Sequence, residues 1–297
     1  MSNNNLDKRK PLDKKGGLLA ILIAILWSAN PLAAKIGLED APIFRLGFMR
    51  FALGIFVVVA WGIYTKQSFL ISKKTLIPLG ISSVIVPVQF GFHLFGQDQT
   101  SASHGVIMIV TFPLWAAMFS HFYNKNDRLN RVRVFGLILA FFGIIVLFWD
   151  SFNNNFIEYL IGDVLILISA IILGARLVYV SHITQGVNKI HVVLFETVIG
   201  FLSFFVISML IERQEFVFTQ SLIISLFYLG IVIAGFGLIL QTHVLKTYLP
   251  GKVTFFNLFQ PILGVFFAWI ILAENPGIEL FLSILLVFIG SYFALKK

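Results

Sequence analysis

Ten apolar runs, each near the length a helix needs to cross a bilayer, constrain this 297-residue chain more than any other feature. A helix rises about 1.5 Å per residue, so roughly 20 apolar residues cover the hydrocarbon layer. Runs of that kind lie near 17–37, 44–64, 75–96, 100–123 and 133–149, and again near 160–181, 191–211, 221–243, 252–273 and 278–295. Polar segments such as Glu39-Asp40-Ala41-Pro42 and Asn153-Asn154-Asn155 separate them, and none is long enough to hold a soluble domain. The first run follows Lys14-Lys15 and could pass for a cleaved leader. It stays apolar for about 20 residues, however, and nine more runs follow, so a retained helix is expected.

Composition points the same way. Hydrophobic residues make up 58% of the chain and charged residues 12%, about half the charged fraction usual in soluble domains. A water-soluble fold of this size could not bury so much apolar surface, whereas lipid makes burial unnecessary. The 33 phenylalanines suit lipid-facing and interhelical packing. Cysteine is absent, which excludes disulfides, thiolate metal sites and cysteine nucleophiles.

Charge sets an expected orientation. With segments counted from an inside N-terminus, seventeen Lys and Arg fall on inside segments and one, Arg213, on an outside segment; Lys35, Arg45, Arg50 and Arg176 lie within or at the edges of spans. Such an excess marks the cytoplasmic side. The expectation is a multi-pass protein of the cytoplasmic (inner) membrane with both termini cytoplasmic. The net charge of +8 is then a topology device, and a nucleic-acid partner has no support.

The two halves echo one another. Pro113, in Val110-Thr111-Phe112-Pro113-Leu114, sits midway along the fourth run, and Pro261, in Leu258-Phe259-Gln260-Pro261-Ile262, midway along the ninth. Gly143 follows Pro113 as Gly290 follows Pro261, and Gly16-Gly17 opening the first run is echoed by Gly162-Asp163 opening the sixth. Duplicating a unit with an odd number of spans turns the second copy upside down. The expected fold is therefore all-α: ten transmembrane helices as two inverted five-helix repeats. A cytoplasmic tail covers 1–16, the first repeat 17–149 and the second 160–297. Inverted repeats recur in secondary transporters, whose sites lie near the midplane between the halves.

The segment Trp27-Ser28-Ala29-Asn30-Pro31, followed by Lys35, Ala41-Pro42, Phe44 and Arg50, resembles the opening of EamA-type members of the drug/metabolite transporter superfamily. Gly162-Asp163 and Leu258 to Pro261, ending at Ala273-Glu274, resemble that family's second copy. The likeness covers nearly the whole chain and implies ten helices, a central cavity and alternating access. Ser28 replaces the usual glycine, Gln260 stands where glutamate is common, and Asn126-Asp127 replaces a Gly-Glu pair. The family moves amino acids, nucleosides, drugs and other metabolites, so these motifs specify the superfamily better than the substrate.

Polar residues inside the runs are the site candidates, because a charge at a span centre costs about 2.5–3.5 kcal/mol unless it faces protein or water. Arg176 and Glu196 should lie at similar depth across one hairpin and are expected to pair. Glu196 could instead carry a coupling proton, but an arginine partner opposes that role. Lys35 and Arg50 are candidates to attract a substrate carboxylate or phosphate; the alternative for both is snorkelling to the outer surface or pairing with Glu39 or Asp40. His93 and His104 read as hydrogen-bonded packing, since two histidines alone make no metal site. Asn30, Gln89, Asn257 and Gln260 are candidate solute-binding amides, with interhelical bonding as the alternative. Trp27 and Trp115 are candidates to stack on a ligand. Pro31, Pro113 and Pro261 remove backbone donors and mark expected kinks.

No phosphate-binding loop, zinc-spaced cluster or nucleophile elbow occurs in the sequence, so no ATP drive, metal, cofactor or enzymatic role is expected. The resulting expectation is a secondary transporter of a small metabolite or drug, as a monomer or homodimer, driven by protons or a counter-solute. Alternatives are a non-transporting sensor or scaffold, or a flippase for lipid-linked substrates.

Overall fold

The computed structural model describes residues 9–10, 12–100, 102–124, 127–147, 149, 156–213, 217–264 and 278–295. In lipid, every backbone N–H and C=O must find a partner within the protein, and helices meet this within one segment. The described chain is accordingly helical, with a single isolated bridge between Lys10 and Tyr248.

The first half contains α1 (Lys14–Ser28), α2 (Asn30–Asp40), α3 (Ile43–Tyr64), α4 (Leu76–Asp98), α5 (Ala102–Ile109), α6 (Phe112–Tyr123) and α7 (Arg131–Leu147). The second half contains α8 (Phe156–Ile183), α9 (Lys189–Ile211) and α10 (Gln220–Leu226), then a π-helical stretch (Phe227–Gly237) leading into α11 (Leu238–Thr247). The short α12 (Pro250–Val253), a 3-10 stretch (Thr254–Phe259) and α13 (Ile278–Leu295) complete it. Seven continuous helical segments among the described residues are long and apolar enough to cross a membrane. The first, fourth and eighth of the ten expected spans are the composites α1–α2, α5–α6 and α10–α11. The fifth and tenth are the shorter α7 and α13. The ninth begins at α12 and is described as far as Gly264, and the expected close at Ala273-Glu274 lies outside the described residues.

Breaks fall at the prolines. Ala29 separates α1 from α2 just before Pro31, and Val110-Thr111 separates α5 from α6 just before Pro113. Pro261 stands two residues beyond the end of the 3-10 stretch. A proline lacks the N–H that would close the preceding turn, so the chain tightens or opens there.

Inversion of the halves is read from two contacts. Helix α3 lies against its counterpart α9, with Phe44 near Glu212, Gly47 against Phe204, Phe51 against Gly200 and Val58 near Ile190 and Val193. Numbers rise along one helix as they fall along the other, so the two are antiparallel. Likewise Gly136 of α7 meets Gly290 and Ala294 of α13, while Gly143 meets Ser283. The Gly143–Ser283 and Gly290–Gly136 approaches are mates, each placing a glycine against the other helix's carbonyl oxygen. The neighbours follow the same rule. The third span packs on the sixth and seventh, as the eighth packs on the first and second.

Two faces result. The tail face gathers Arg9, Asn124, Ser181, Thr247 and Tyr248. There Arg9 donates from Nη1 to Ser181 Oγ (2.8 Å) and from Nη2 to Asn124 Oδ1 (2.5 Å), and Lys10 N–H donates to the Thr247 carbonyl (2.8 Å). Asp13 caps α1 by accepting from Gly16 N–H (2.7 Å) and also accepts from the Tyr248 hydroxyl (2.8 Å). These bonds strap the spans of both halves together. Asp127, fully buried beside them, accepts from Ser120 Oγ (2.7 Å), Gly251 N–H (2.8 Å) and Arg133 Nη2 (2.9 Å). On the far face, Glu212 accepts from the N–H groups of Phe44 (2.7 Å) and Arg45 (2.9 Å), placing a carboxylate at the positive end of α3.

Candidate functional site

A cavity of about 50 Å³ lies between the halves, lined by Trp27, Asn30, Gln89, Phe90, His93, Ile109, Phe112, Leu173, Arg176, Gln241 and Gln260. Five different spans supply its polar groups. The break before Pro31 brings Asn30 to the cavity, the turn geometry before Pro261 brings Gln260, and α4 presents Gln89 and His93 four residues apart on one face. Pro87 inside α4 removes a backbone donor one turn from Ser83 and leaves that carbonyl without its helical partner.

Most buried polar atoms in proteins have partners, because leaving one unmade costs roughly 1–3 kcal/mol. Around this cavity several have none. Trp27 Nε1, Asn30 Oδ1 and both ring nitrogens of His93 are buried and unpartnered. They offer at least one donor from the indole, one acceptor from the amide, and one of each from a neutral imidazole. Such a set, aimed into a space with room for water or a solute head group, is complementary to a small polar molecule.

Three further lining groups, Gln89, Gln260 and Arg176, are held by residues behind the wall. Gln89 Nε2 donates to Ser169 Oγ (2.8 Å), and Gln260 Nε2 donates to Asn257 Oδ1 (2.6 Å), whose own amide donates to the Thr254 carbonyl (3.0 Å). Arg176 grips Glu196 with Nε and Nη2, and Ser82 donates to the same carboxylate. Glu196 is fully buried and Arg176 only 3% exposed. Both carboxylate oxygens are therefore engaged, and the arginine that lines the cavity arrives already neutralised.

The expected site residues thus divide. Trp27, Asn30, Gln89, Arg176 and Gln260 line the cavity, and Glu196 and Asn257 stand behind it, holding Arg176 and Gln260. Trp115 donates to Thr111 Oγ1 (3.2 Å) in the turn before α6 and packs with Leu177, Val180 and Leu245 instead of lining the cavity. Lys35 is exposed on α2. Arg50 is buried in α3 beside Phe90 rather than in the cavity wall itself. The helix breaks at Pro31 and Pro113 and the tightened turn before Pro261 border the cavity-lining residues. His93 departs from the hydrogen-bonded packing expected of it, because its face of α4 points to the cavity and not to a polar neighbour. The side chain of His104 lies outside the described residues.

Gln241 is the lining residue that sequence reasoning missed. It follows the π-helical stretch, whose wider turn changes the register of everything after it. The spacing of Gly230, Gly235 and Gly237 is the only local signal, and the first two let the stretch close against α3 at Leu53 and Val57.

A wider vestibule of about 440 Å³ opens on the far face, lined by Glu39, Asp40, Phe44, Phe95, Asp98, Glu212 and Arg213 among others. Phenylalanine rings run inward from it: Phe44 meets Phe204 at 5.6 Å, Phe204 meets Phe51 at 5.9 Å, and Phe51 meets Phe90 at 5.6 Å between centroids. Phe90 ends this row at the cavity.

Comparison with known proteins agrees with this architecture. The profile of the EamA-like transporter family matches the chain twice, over residues 14–149 and 160–296. An uncharacterised transporter of Bacillus subtilis, YoaV, is 23% identical over 274 residues, covering 92% of this chain and 94% of its own. Proteins named probable amino-acid metabolite efflux pumps are 26% identical in Escherichia coli (95% of each chain) and 28% identical in Salmonella typhimurium (93% of each). A solved crystal structure superposes with a TM-score of 0.82 at 19% identity, over 94% of this chain and 98% of that one.

Proposed function

The chain belongs to the EamA-like transporter family, a multi-pass membrane transporter of the drug/metabolite kind, and on that premise we propose that it is a secondary transporter carrying a small polar metabolite by alternating access. One observation carries the proposal. Polar side chains from both halves line a single cavity at the seam of two inverted bundles, and three of them from the first half, Trp27, Asn30 and His93, bring buried atoms that have no partner among the described residues. A scaffold that only packs would have no use for them, since in lipid each would be a standing cost.

The cavity is smaller than the roughly 300–1,000 Å³ of ordinary ligand pockets. A whole metabolite enters only when the halves part, so this conformation is a contracted one, narrow at the centre and wide at the far-face vestibule. Rocking about α3–α9 and α7–α13 would open one face as the other closes. The tail face carries the basic residues and is read as cytoplasmic, in an inner membrane. Uphill movement would be coupled to protons or to an exchanged solute.

Two relatives are named for amino-acid metabolites, which makes these the first solutes to try. The test is metabolite profiling of cells with and without the protein, followed by transport of the candidate solutes in proteoliposomes. A solute that moves only with the protein, and ceases to move in Asn30→Ala and Gln260→Ala variants of normal abundance, is expected. No protein-dependent movement of any profiled solute would reject the transport reading.

A further inference from the structure

Two arginines stand near the cavity, and only one has a carboxylate. Arg176 is clamped by Glu196. Arg50 is just as buried, at 3% exposure, yet no ion pair or hydrogen bond to it occurs among the described residues, and its Nε is buried without any acceptor. It lies seven residues into α3 from the far-face end, about 10 Å deep at the helical rise. A guanidinium cannot shed its proton to escape this situation. Burying an unpaired cation is among the most expensive arrangements a protein can hold, the more so within a bilayer.

The surroundings of Arg50 fix its orientation without neutralising it. Its guanidinium carbon lies 4.6 Å from the centre of the Phe90 ring and 5.8 Å from that of Phe51. A cation–π contact consumes none of the guanidinium's N–H donors, and those donors are what grip a carboxylate through parallel hydrogen bonds. One turn along α4 from Phe90 sits His93, edge-on to that ring at 6.5 Å, with both nitrogens unpartnered. Phe90 and His93 both line the cavity. A neutral imidazole supplies one further N–H donor to an anion placed there.

We propose that His93 in the cavity wall and Arg50, which lies behind that wall against Phe90, form an anion subsite at the cavity's edge, and that the transported solute bears a carboxylate which this subsite receives. The inference rests on the transport reading and narrows its substrate class. A single net positive charge fits a monovalent carboxylate; a phosphate dianion would call for a second free cation, and Arg176 has been neutralised by Glu196.

The test uses the purified full-length protein and a defined probe set: the twenty amino acids, short keto acids and dicarboxylates, each beside its amide or methyl ester. Binding is read as thermal stabilisation and as competition in proteoliposome counterflow. At least one carboxylate should bind, and its uncharged derivative should bind at least about tenfold more weakly, the least expected for losing a charged hydrogen bond. Arg50→Gln should abolish that preference while leaving the derivative's weak binding unchanged. Arg50→Lys should keep part of it. His93→Phe, which leaves Arg50 in place should Arg50→Gln fail to fold, should weaken the carboxylate several-fold and the derivative little. Equal binding of acid and derivative, an acid preference that survives Arg50→Gln or is undiminished by His93→Phe, or transport confined to solutes without an anionic group would overturn the subsite and leave the transport reading standing. Absence of any transport would remove the reading beneath it.

Discussion

A carboxylate gripped on both oxygens by a buried arginine cannot exchange protons without stranding that arginine. Glu196 is in this position, paired with Arg176 and accepting from Ser82, and is expected to neutralise that arginine rather than to ferry protons. Glu196→Gln is accordingly expected to destabilise the protein by about 3–5 kcal/mol, the usual cost of removing one partner of a buried pair. The change is read as a lowered unfolding temperature in detergent, while any proton dependence of transport per folded molecule stays as in the parent. The opposite pattern, intact stability with lost coupling, would return the coupling role to Glu196. The same reasoning predicts that Asp127→Ala, which strands Arg133 and uncaps α12, lowers stability by a similar amount. The pairing partner of Glu196 was legible because hairpin depth can be counted along the chain. The isolation of Arg50 was not, because absence of a partner is a property of everything around it.

At the scale of elements, glycine spacing sets how closely α7 and α13 approach. Gly136 and Gly290 each lie against the other helix's backbone, where a side chain would have no room. Gly136→Leu and Gly290→Leu should each force the helices apart at a cost of about 1–3 kcal/mol or more. As the two sides of one contact, they should lower unfolding temperature and yield to similar extents. The strap across the tail face is a second element-scale feature. The amide of Gly16 and the hydroxyl of Tyr248 hold the Asp13 carboxyl below the usual carboxylate range, and the same bond pushes the Tyr248 phenol up along with desolvation. A lowered carboxylate pKa adds stability above the unfolded value, and this is lost as pH falls through the folded one. Removing residues 2–12, or acidifying through that range, should therefore loosen the strap. The chain has no cysteine, so one introduced at Lys252 reports alone; its labelling rate from the tail face should rise several-fold in the shortened protein.

For the whole molecule, the two-fold relation between halves means that what seals one face has a counterpart at the other. A pair of cysteines replacing Leu38 and Ile211, which both line the far-face vestibule, should stop transport when crosslinked and restore it on reduction. Continued transport with the link intact would argue against alternating access. Single cysteines at Asp98 or Arg213 should react with impermeant reagents from outside intact cells, whereas one at Lys74 should react only after lysis. The reverse labelling would invert the assigned orientation.

Apolar length, the distribution of lysine and arginine, and proline offsets between the halves are properties of the chain taken in order. They sufficed for an inverted membrane bundle with Asn30 and Gln260 near its seam, because lipid leaves a long apolar run no alternative to a helix. Tertiary structure alone decided which groups are satisfied: that Glu196 is spent on Arg176, that Asn257 serves Gln260, that Trp115 and Lys35 stand away from the cavity, and that Gln241 enters it after a π-helical change of register. Whether a polar atom has a partner depends on distances between segments far apart in the chain, and only packing of the two halves sets those distances.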